Sequence, residues 1–213
     1  MQYFWLNKQE KNKKLILFFN GWAMNETPVK HLDCSDYDVL ILSDYRNTDF
    51  NLSQFDFNKY EKKYLICWSM GVYVCNLFKK DLISFDKKIA INGTTKIISN
   101  NFGIPEKIYK ITVKLLNEDS CDKFIKNMFD NGKLNPNITI TRSLNELKEE
   151  LISIQNIVLK EELGFDFAII SNNDKIVPSQ NQINFWKNKT KIIEINSTHC
   201  PFEIYSTWSE LLC

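Results

Sequence analysis

A doubly wound α/β fold, built on a mostly parallel sheet and carrying a helical insertion, is the architecture this sequence predicts. Three observations lead there. Short apolar runs, several of them continuous rather than alternating, have the pattern of strands covered on both faces. Stretches with helical spacing separate most of these runs, and strand–helix alternation implies parallel neighbours joined by right-handed crossovers. One long interval, from about Thr94 to Leu163, holds helical patterns with no convincing strand among them.

The first two runs, QYFWLN (2–7) and LILFFN (15–20), flank the polar KQEKNKK and read as a hairpin pair. Thr27 and Pro28 then supply an N-cap and a proline at the first position of a short helix. YDVLILS (37–43) and YLICW (64–68) are the next strands. MGVYVCNLFKK (70–80) has helical spacing and a basic last turn that suits the helix dipole. KIAING (88–93) is a further strand. Inside the interval, IPEKIYKITVKLL, SCDKFIKNMF and SLNELKEELISIQNIVLKEEL read as three amphipathic helices, a lid over the C-terminal edge of the sheet. NNFG and NGKLNPN punctuate the lid as turns. FDFAIIS (165–171) and KIIEIN (191–196) complete the strands, and VPSQNQINFWKNK (177–189) and PFEIYSTWSELL (201–212) are helices that each begin near a proline. Residues 1–213 therefore read as one domain with a lid insertion at about 94–163.

Composition removes several function classes. The chain of 213 residues is 44% hydrophobic and 25% charged, an ordinary globular balance. A net charge of +1 gives no electrostatic footprint for nucleic acid or a membrane surface. The six cysteines (Cys34, Cys67, Cys75, Cys121, Cys200, Cys213) show no C-x-x-C pair, and with His31 and His199 as the only histidines no metal site is expected. No apolar run approaches the ~20 residues of a membrane span. Free thiols and an N-terminus without the apolar core of a signal peptide point to the cytoplasm. No G-x-G-x-x-G follows a strand, so a dinucleotide site is excluded. Oligomeric state leaves no trace in the pattern.

Chemistry enters at CWSMG, where strand YLICW meets helix MGVYVCNLF and a hydroxyl, Ser69, stands at the joint. A strand–turn–helix of form G-x-S-x-G is the nucleophile elbow of α/β-hydrolases, whose small flanking residues let helix and strand approach around a strained serine. Gly71 fits, while Cys67 replaces the first glycine. Taken alone, the string does not separate a nucleophile from a structural serine. The partners do. Such an enzyme needs an acid and then a histidine, each just past its own strand. Asp174 follows FDFAIIS and His199 follows KIIEIN, in that order. Separately, one would pass as a turn residue and the other as a surface histidine. An oxyanion hole would draw on the N–H of Met70 and on the loop after LILFFN, where Gly21 lets the chain turn and Trp22 can aim its N–H. Read structurally, Gly21 and Trp22 merely end a strand.

At FFNGWAMN (18–25), CWSMGVYV (67–74), NNDKIVP (172–178) and THCPF (198–202) the sequence resembles the pimeloyl-[acyl-carrier protein] methyl ester esterases of the BioG type. These strings span most of the chain, and the lid matches only as a helical insert. Ala23, where a glycine is more usual, and Cys67 depart from the pattern without removing a reacting group. The resemblance implies an α/β-hydrolase that needs no cofactor and frees the masked carboxyl of pimeloyl carrier protein in biotin synthesis. Ser69, Asp174 and His199 would be its triad, and Met70 and Trp22 its oxyanion donors.

A carrier-protein partner is acidic, so basic lid residues are expected to face it. Lys110, Lys114, Lys126 and Arg142 are the candidates, with Lys107 and Lys123 nearby. A solvated helix face explains them as readily. Phe102, Ile104, Phe124, Met128 and Phe129 are candidates for an acyl channel, though packing of the lid on the sheet accounts for them equally well. Two further readings stay open: another esterase or thioesterase acting on free acyl esters, and a catalytically idle hydrolase-fold binding protein.

Overall fold

The computed structural model describes residues 1–129 and 138–212, so the NGKLNPN turn and Cys213 lie outside the described residues. Its strands are β1 (Gln2–Asn7), β2 (Lys14–Phe19), β3 (Asp38–Ser43), β4 (Lys62–Trp68), β5 (Lys87–Ile91), β6 (Phe167–Ser171) and β7 (Lys191–Ile195). They form one sheet in the order β1-β3-β2-β4-β5-β6-β7, in which only the β1–β3 pair is antiparallel. Helices α1 (Met70–Val74), α2 (Lys79–Leu82), α3 (Glu106–Lys114), α4 (Glu118–Asn127), α5 (Leu144–Asn156) and α6 (Ser179–Trp186) connect them. The predicted doubly wound, mostly parallel α/β architecture is the one observed.

The hairpin between the first two runs does not form. β1 pairs with β3, Gln2 opposite Ser43, while β2 lies between β3 and β4. Leu15 to Phe19 are fully buried, which requires cover on both faces and a strand on each side. β1 is exposed over its first half and suits an edge. Asp38, at the start of β3, ties the connecting loop down. Its Oδ1 accepts the Gln9 N–H at 2.8 Å and the Asn12 amide at 3.0 Å, and its Oδ2 accepts the Tyr60 hydroxyl at 2.6 Å.

Three helical readings change for local reasons. The 70–80 stretch divides into α1, a tight turn of 3₁₀ helix and α2, because the Asn76 amide donates back to the Val72 and Tyr73 carbonyls at 2.7 and 2.9 Å. At Thr27 and Pro28 there are successive turns instead of a helix, and Asn25 acts as the cap, its Oδ1 accepting from the Thr27 N–H and hydroxyl. The last segment is two 3₁₀ turns, Phe202–Ile204 and Trp208–Leu212, because a bridge between Asp33 and Thr207 holds the chain extended between them.

α3, α4 and α5 occupy the interval between β5 and β6. Asn117 and Ser143 close capping boxes at the starts of α4 and α5. α5 stops at Asn156, short of the predicted end, where the Tyr73 hydroxyl donates to the Ile157 carbonyl at 2.7 Å. Beneath the sheet, Phe18 meets Phe202 and Trp208 edge-on at 5.7 and 5.4 Å, and Trp68 meets Phe202 at 5.0 Å. This cluster fixes the segment that follows His199. Among the described residues, no helix is long and apolar enough to cross a membrane.

Asp38→Ala is expected to cost about 2–4 kcal/mol, because it leaves the buried Asn12 amide and Tyr60 hydroxyl without their acceptor and releases the Gln9 N–H. Urea unfolding measures this, and an unchanged midpoint would show that the loop is not pinned there.

Candidate active site

Ser69 sits where β4 ends and α1 begins, with φ 55° and ψ −119°. This is a conformation that L-residues rarely hold without support. Its N–H donates to the Ile91 carbonyl at 2.9 Å, which ties the turn to β5. Two glycines let the backbones close around it. A Cβ on Gly71 would lie 2.3 Å from the Phe19 carbonyl oxygen, and one on Gly93 would lie 2.3 Å from that of Ser69. Cys67, in the place of the first elbow glycine, is fully buried in β4 between Phe19 and Ala90, and burial pushes its thiol well above the usual range.

The loops after β6 and β7 bring two more groups to the serine. The imidazole Nε2 of His199 lies 2.9 Å from Ser69 Oγ, and its Nδ1 lies 3.0 and 2.9 Å from the Asp174 carboxylate oxygens. All three residues are buried. Asp174 Oδ1 also accepts the N–H groups of Ile176 and Val177 at 2.8 and 2.9 Å, while Oδ2 accepts the Gln182 amide at 2.9 Å. These bonds hold the carboxylate in one rotamer against the imidazole. The His199 carbonyl is gripped from two sides, by the Trp68 indole N–H at 2.8 Å and the Asn92 amide at 3.0 Å.

The loop after β2 runs beside this group. Gly21 donates to Asn20 Oδ1 at 2.9 Å, and the Met24 N–H closes a turn on the Gly21 carbonyl at 3.3 Å. Trp22 anchors by its indole N–H to the Leu147 carbonyl of α5 at 3.0 Å and meets Phe124 edge-on at 4.7 Å. Ala23 takes φ 67°, which accounts for a glycine being the more usual residue there. Met70 opens α1, and an N–H in a first helical turn has no acceptor inside the helix.

A cavity of about 420 Å³ lies against these two residues, lined by Trp22, Met70, Ile104, Phe124, Leu151 and Ile176 among others. Of the apolar lid candidates, Ile104 and Phe124 line it. Phe102 packs on Phe185 with centroids 6.1 Å apart, and Met128 and Phe129 are buried in the core. The Met128 carbonyl instead accepts the Cys200 N–H at 3.1 Å, linking the lid to the histidine loop.

The basic candidates divide similarly. Lys110, 3.9 Å from Glu106, is exposed, as are Lys114 and Lys126. Lys123 and Lys175 stand on the cavity lining. Arg142 is no surface contact: its side chain is 10% exposed and paired with Asp44 at 3.2 Å and Glu150 at 2.8 Å. Among the described residues no group of three or more His, Cys, Asp or Glu forms a metal-ligand set.

Gln182, Asn92, Trp68 and Gly93 escape a reading of the sequence. Trp68 and Asn92 act through partners far along the chain, Gln182 reaches Asp174 across eight residues and Gly93 passes against Ser69, and nothing in their local pattern marks them. Glu150 alone carried a signal, a charge in the buried stripe Leu147–Glu150–Leu151–Ile154 of α5.

Residues 1–211 match the protein family described as pimeloyl-ACP methyl esterase BioG. A Bacteroides fragilis protein named malonyl-[acyl-carrier protein] O-methyltransferase is 35% identical over 182 residues, 82% of this chain; the chain spans only 37% of that relative's length. An uncharacterized Haemophilus influenzae protein is 31% identical over 212 residues, 94% of this chain and 95% of the relative. Among solved structures, BioG from Haemophilus influenzae superposes with a TM-score of 0.87 at 26% identity, over 100% of both chains. A lipase-esterase related protein from Clostridium acetobutylicum shares the α/β-hydrolase fold, with a TM-score of 0.65 at 15% identity over 93% of this chain and 92% of the other.

Gly71→Ala is expected to lower stability by roughly 1–3 kcal/mol, since a methyl group has no room beside the Phe19 carbonyl. Thermal unfolding reads the loss. A melting temperature equal to the parent's would mean that the elbow is looser than its contacts indicate.

Proposed function

This chain belongs to the pimeloyl-ACP methyl esterase BioG family, and on that premise we propose that it is a serine esterase hydrolysing the methyl ester of pimeloyl-[acyl-carrier protein]. The observation that carries the mechanism is the continuous hydrogen-bonded line from Ser69 Oγ through the His199 ring to Asp174. Three side chains from three strand ends, in the chain order serine, acid, histidine, meet at hydrogen-bond distance beside a largely apolar cavity.

In this reading Ser69 Oγ attacks the ester carbonyl carbon while His199 Nε2 takes its proton. Asp174, bonded at Nδ1, orients the ring and stabilises the imidazolium. The carbonyl oxygen gains the negative charge and is held by the N–H groups of Met70 and Trp22, both against the cavity. Collapse of the tetrahedral adduct expels the methoxy group, which takes the proton from His199 and leaves as methanol. Water then attacks the acyl-serine with His199 as base, and a free carboxylate departs. The acyl chain would lie along Ile104 and Phe124.

The name of one relative supports this reading of the substrate. The Bacteroides relative is named for adding a methyl group to a malonyl carrier protein, and a segment of it is 35% identical to this chain. A methyl group placed on an acyl carrier protein calls for a later step that removes it. An acidic carrier fits the exposed lysines Lys110, Lys114 and Lys126 on α3 and α4, close to the cavity residues Ile108, Ile111 and Lys123 on the same helices.

Ser69→Ala is expected to remove ester hydrolysis by several orders of magnitude, on the order of 10³-fold or more, in a protein that folds normally. Near-parent turnover would sink the serine mechanism. Asp174→Asn is expected to retain the geometry and lose roughly 10⁴-fold in kcat, as an amide cannot support the imidazolium. Steady-state kinetics on a p-nitrophenyl ester reads both variants. Reversing Lys110, Lys114 and Lys126 together is expected to raise KM for the carrier-linked methyl ester, with strong salt dependence in the parent, and to leave a short p-nitrophenyl ester unaffected. Equal loss on both substrates would indicate a distorted lid, and no loss on either would move carrier docking elsewhere.

A further inference from the structure

α5 buries Leu147, Glu150, Leu151 and Ile154, so one position in its apolar stripe is a carboxylate. Glu150 is fully buried. A charge placed there is tolerated only with partners, and these partners share one feature. Oε1 accepts the Tyr45 N–H at 2.9 Å, and Oε2 accepts Arg142 Nη2 at 2.8 Å and reaches the Ala23 N–H at 3.5 Å. Tyr45 and Ala23 belong to the loops that leave β3 and β2. Ala23, with φ 67°, and Asp44, beside Tyr45 with φ 57°, hold left-handed backbone that needs external support.

The surroundings extend the grip. Arg142 also reaches Asp44 at 3.2 Å, and Arg46 clamps Asp44 through two bonds of 2.8 and 2.7 Å. The Tyr45 hydroxyl donates to the Asn20 carbonyl at 2.7 Å, just before Gly21. One turn before Glu150, the Leu147 carbonyl holds the Trp22 indole. The stretch from Asn20 to Ala23 is thus held at Asn20 by Tyr45, at Trp22 by Leu147 and at Ala23 by Glu150. Desolvation pushes the Glu150 carboxyl above the usual carboxylate range, and Arg142 and the Tyr45 N–H oppose that rise.

We propose that Glu150 is a positioning residue for catalysis: through Ala23 and Tyr45 it fixes the loop that presents the Trp22 N–H to the oxyanion, so that the hole is complete only with α5 seated. This rests on the serine-esterase reading above and extends it from the reacting groups to the lid. A carboxylate suits the task because it accepts from two backbone N–H groups and an arginine at once, which an amide with one acceptor oxygen cannot do. Glu150 touches neither nucleophile nor base. Its loss is therefore expected to affect the charge that develops on the ester oxygen, and to leave ground-state binding almost unchanged.

The test uses the full chain with Glu150→Gln, and Glu150→Gln combined with Arg142→Gln so that, if the single variant folds poorly, no nearly buried arginine has lost one of its two carboxylates. Fluorophosphonate labelling of the parent first establishes an active Ser69, and an unlabelled parent overturns the esterase reading together with this one. With the parent labelled, the folded variant is expected to lose roughly 10- to 100-fold in kcat on p-nitrophenyl butyrate with KM within about twofold. It is also expected to bind butylboronic acid, whose serine adduct mimics the tetrahedral intermediate, more weakly by a similar factor. A variant that melts earlier but keeps the parent's kcat and boronate affinity gives Glu150 a purely structural role and overturns the proposal, leaving the esterase reading intact.

Discussion

A serine in left-handed backbone at the end of β4 is the constraint on which the rest of the site depends. With φ 55° its side chain leaves the strand direction, and no local interaction pays for that conformation. Support comes from outside the turn: Ser69 bonds to β5, Gly71 passes against the end of β2, and Gly93 passes against Ser69 itself. A parallel sheet makes this arrangement available, because adjacent strands all end at the same edge. Among the described residues the non-glycine residues with positive φ are Ala23, Asp44, Ser69 and Asn92, and each follows a strand of the sheet centre. The strain is gathered on the edge where chemistry would take place.

Asp174 and His199 are held by the same logic of long-range support. The carboxylate takes two backbone N–H groups, a glutamine amide and the imidazole, which leaves it little freedom to turn away. Asn92 bonds to Ser171 and to the carbonyls of Thr198 and His199, so the ends of β5 and β6 carry the histidine loop directly. Trp68 adds its indole N–H to the His199 carbonyl and its ring to the aromatic cluster below. Core packing and positioning of the His199 ring are therefore one structure, and a change that loosens the cluster would reach the imidazole.

Electrostatics separates the lid into two faces. Its inner face carries Arg142 and Glu150 in a network with Asp44, and although burial opposes ionisation, Arg46 and Arg142 hold the Asp44 carboxyl below the usual carboxylate range. Its outer face carries exposed lysines, whose nearest pairing, Lys110 with Glu106 at 3.9 Å, is an exposed helix contact of little energetic weight. The inner charges are bound to backbone and to each other, so they shape the site. The outer ones stand in solvent.

The doubly wound fold, the elbow and the order serine, acid, histidine were all legible in the sequence, because each is written in a local pattern: a buried run, a small residue two positions on, a loop after a strand. The resemblance at FFNGWAMN, CWSMGVYV, NNDKIVP and THCPF likewise lies in contiguous strings. What tertiary structure decided is whatever depends on pairs far apart in the chain. β1 joined β3 because full burial of β2 demands strands on both sides, which no turn signal between residues 8 and 13 reveals. Arg142 turned inward because Asp44, almost a hundred residues earlier, was there to meet it. Asn76 split a helix that periodicity alone would continue, since its amide found the carbonyls of the preceding turn while its oxygen took the N–H of Leu163. Spacing reports which face a side chain occupies. The partner that makes a buried polar group affordable is set only when the chain has closed around it.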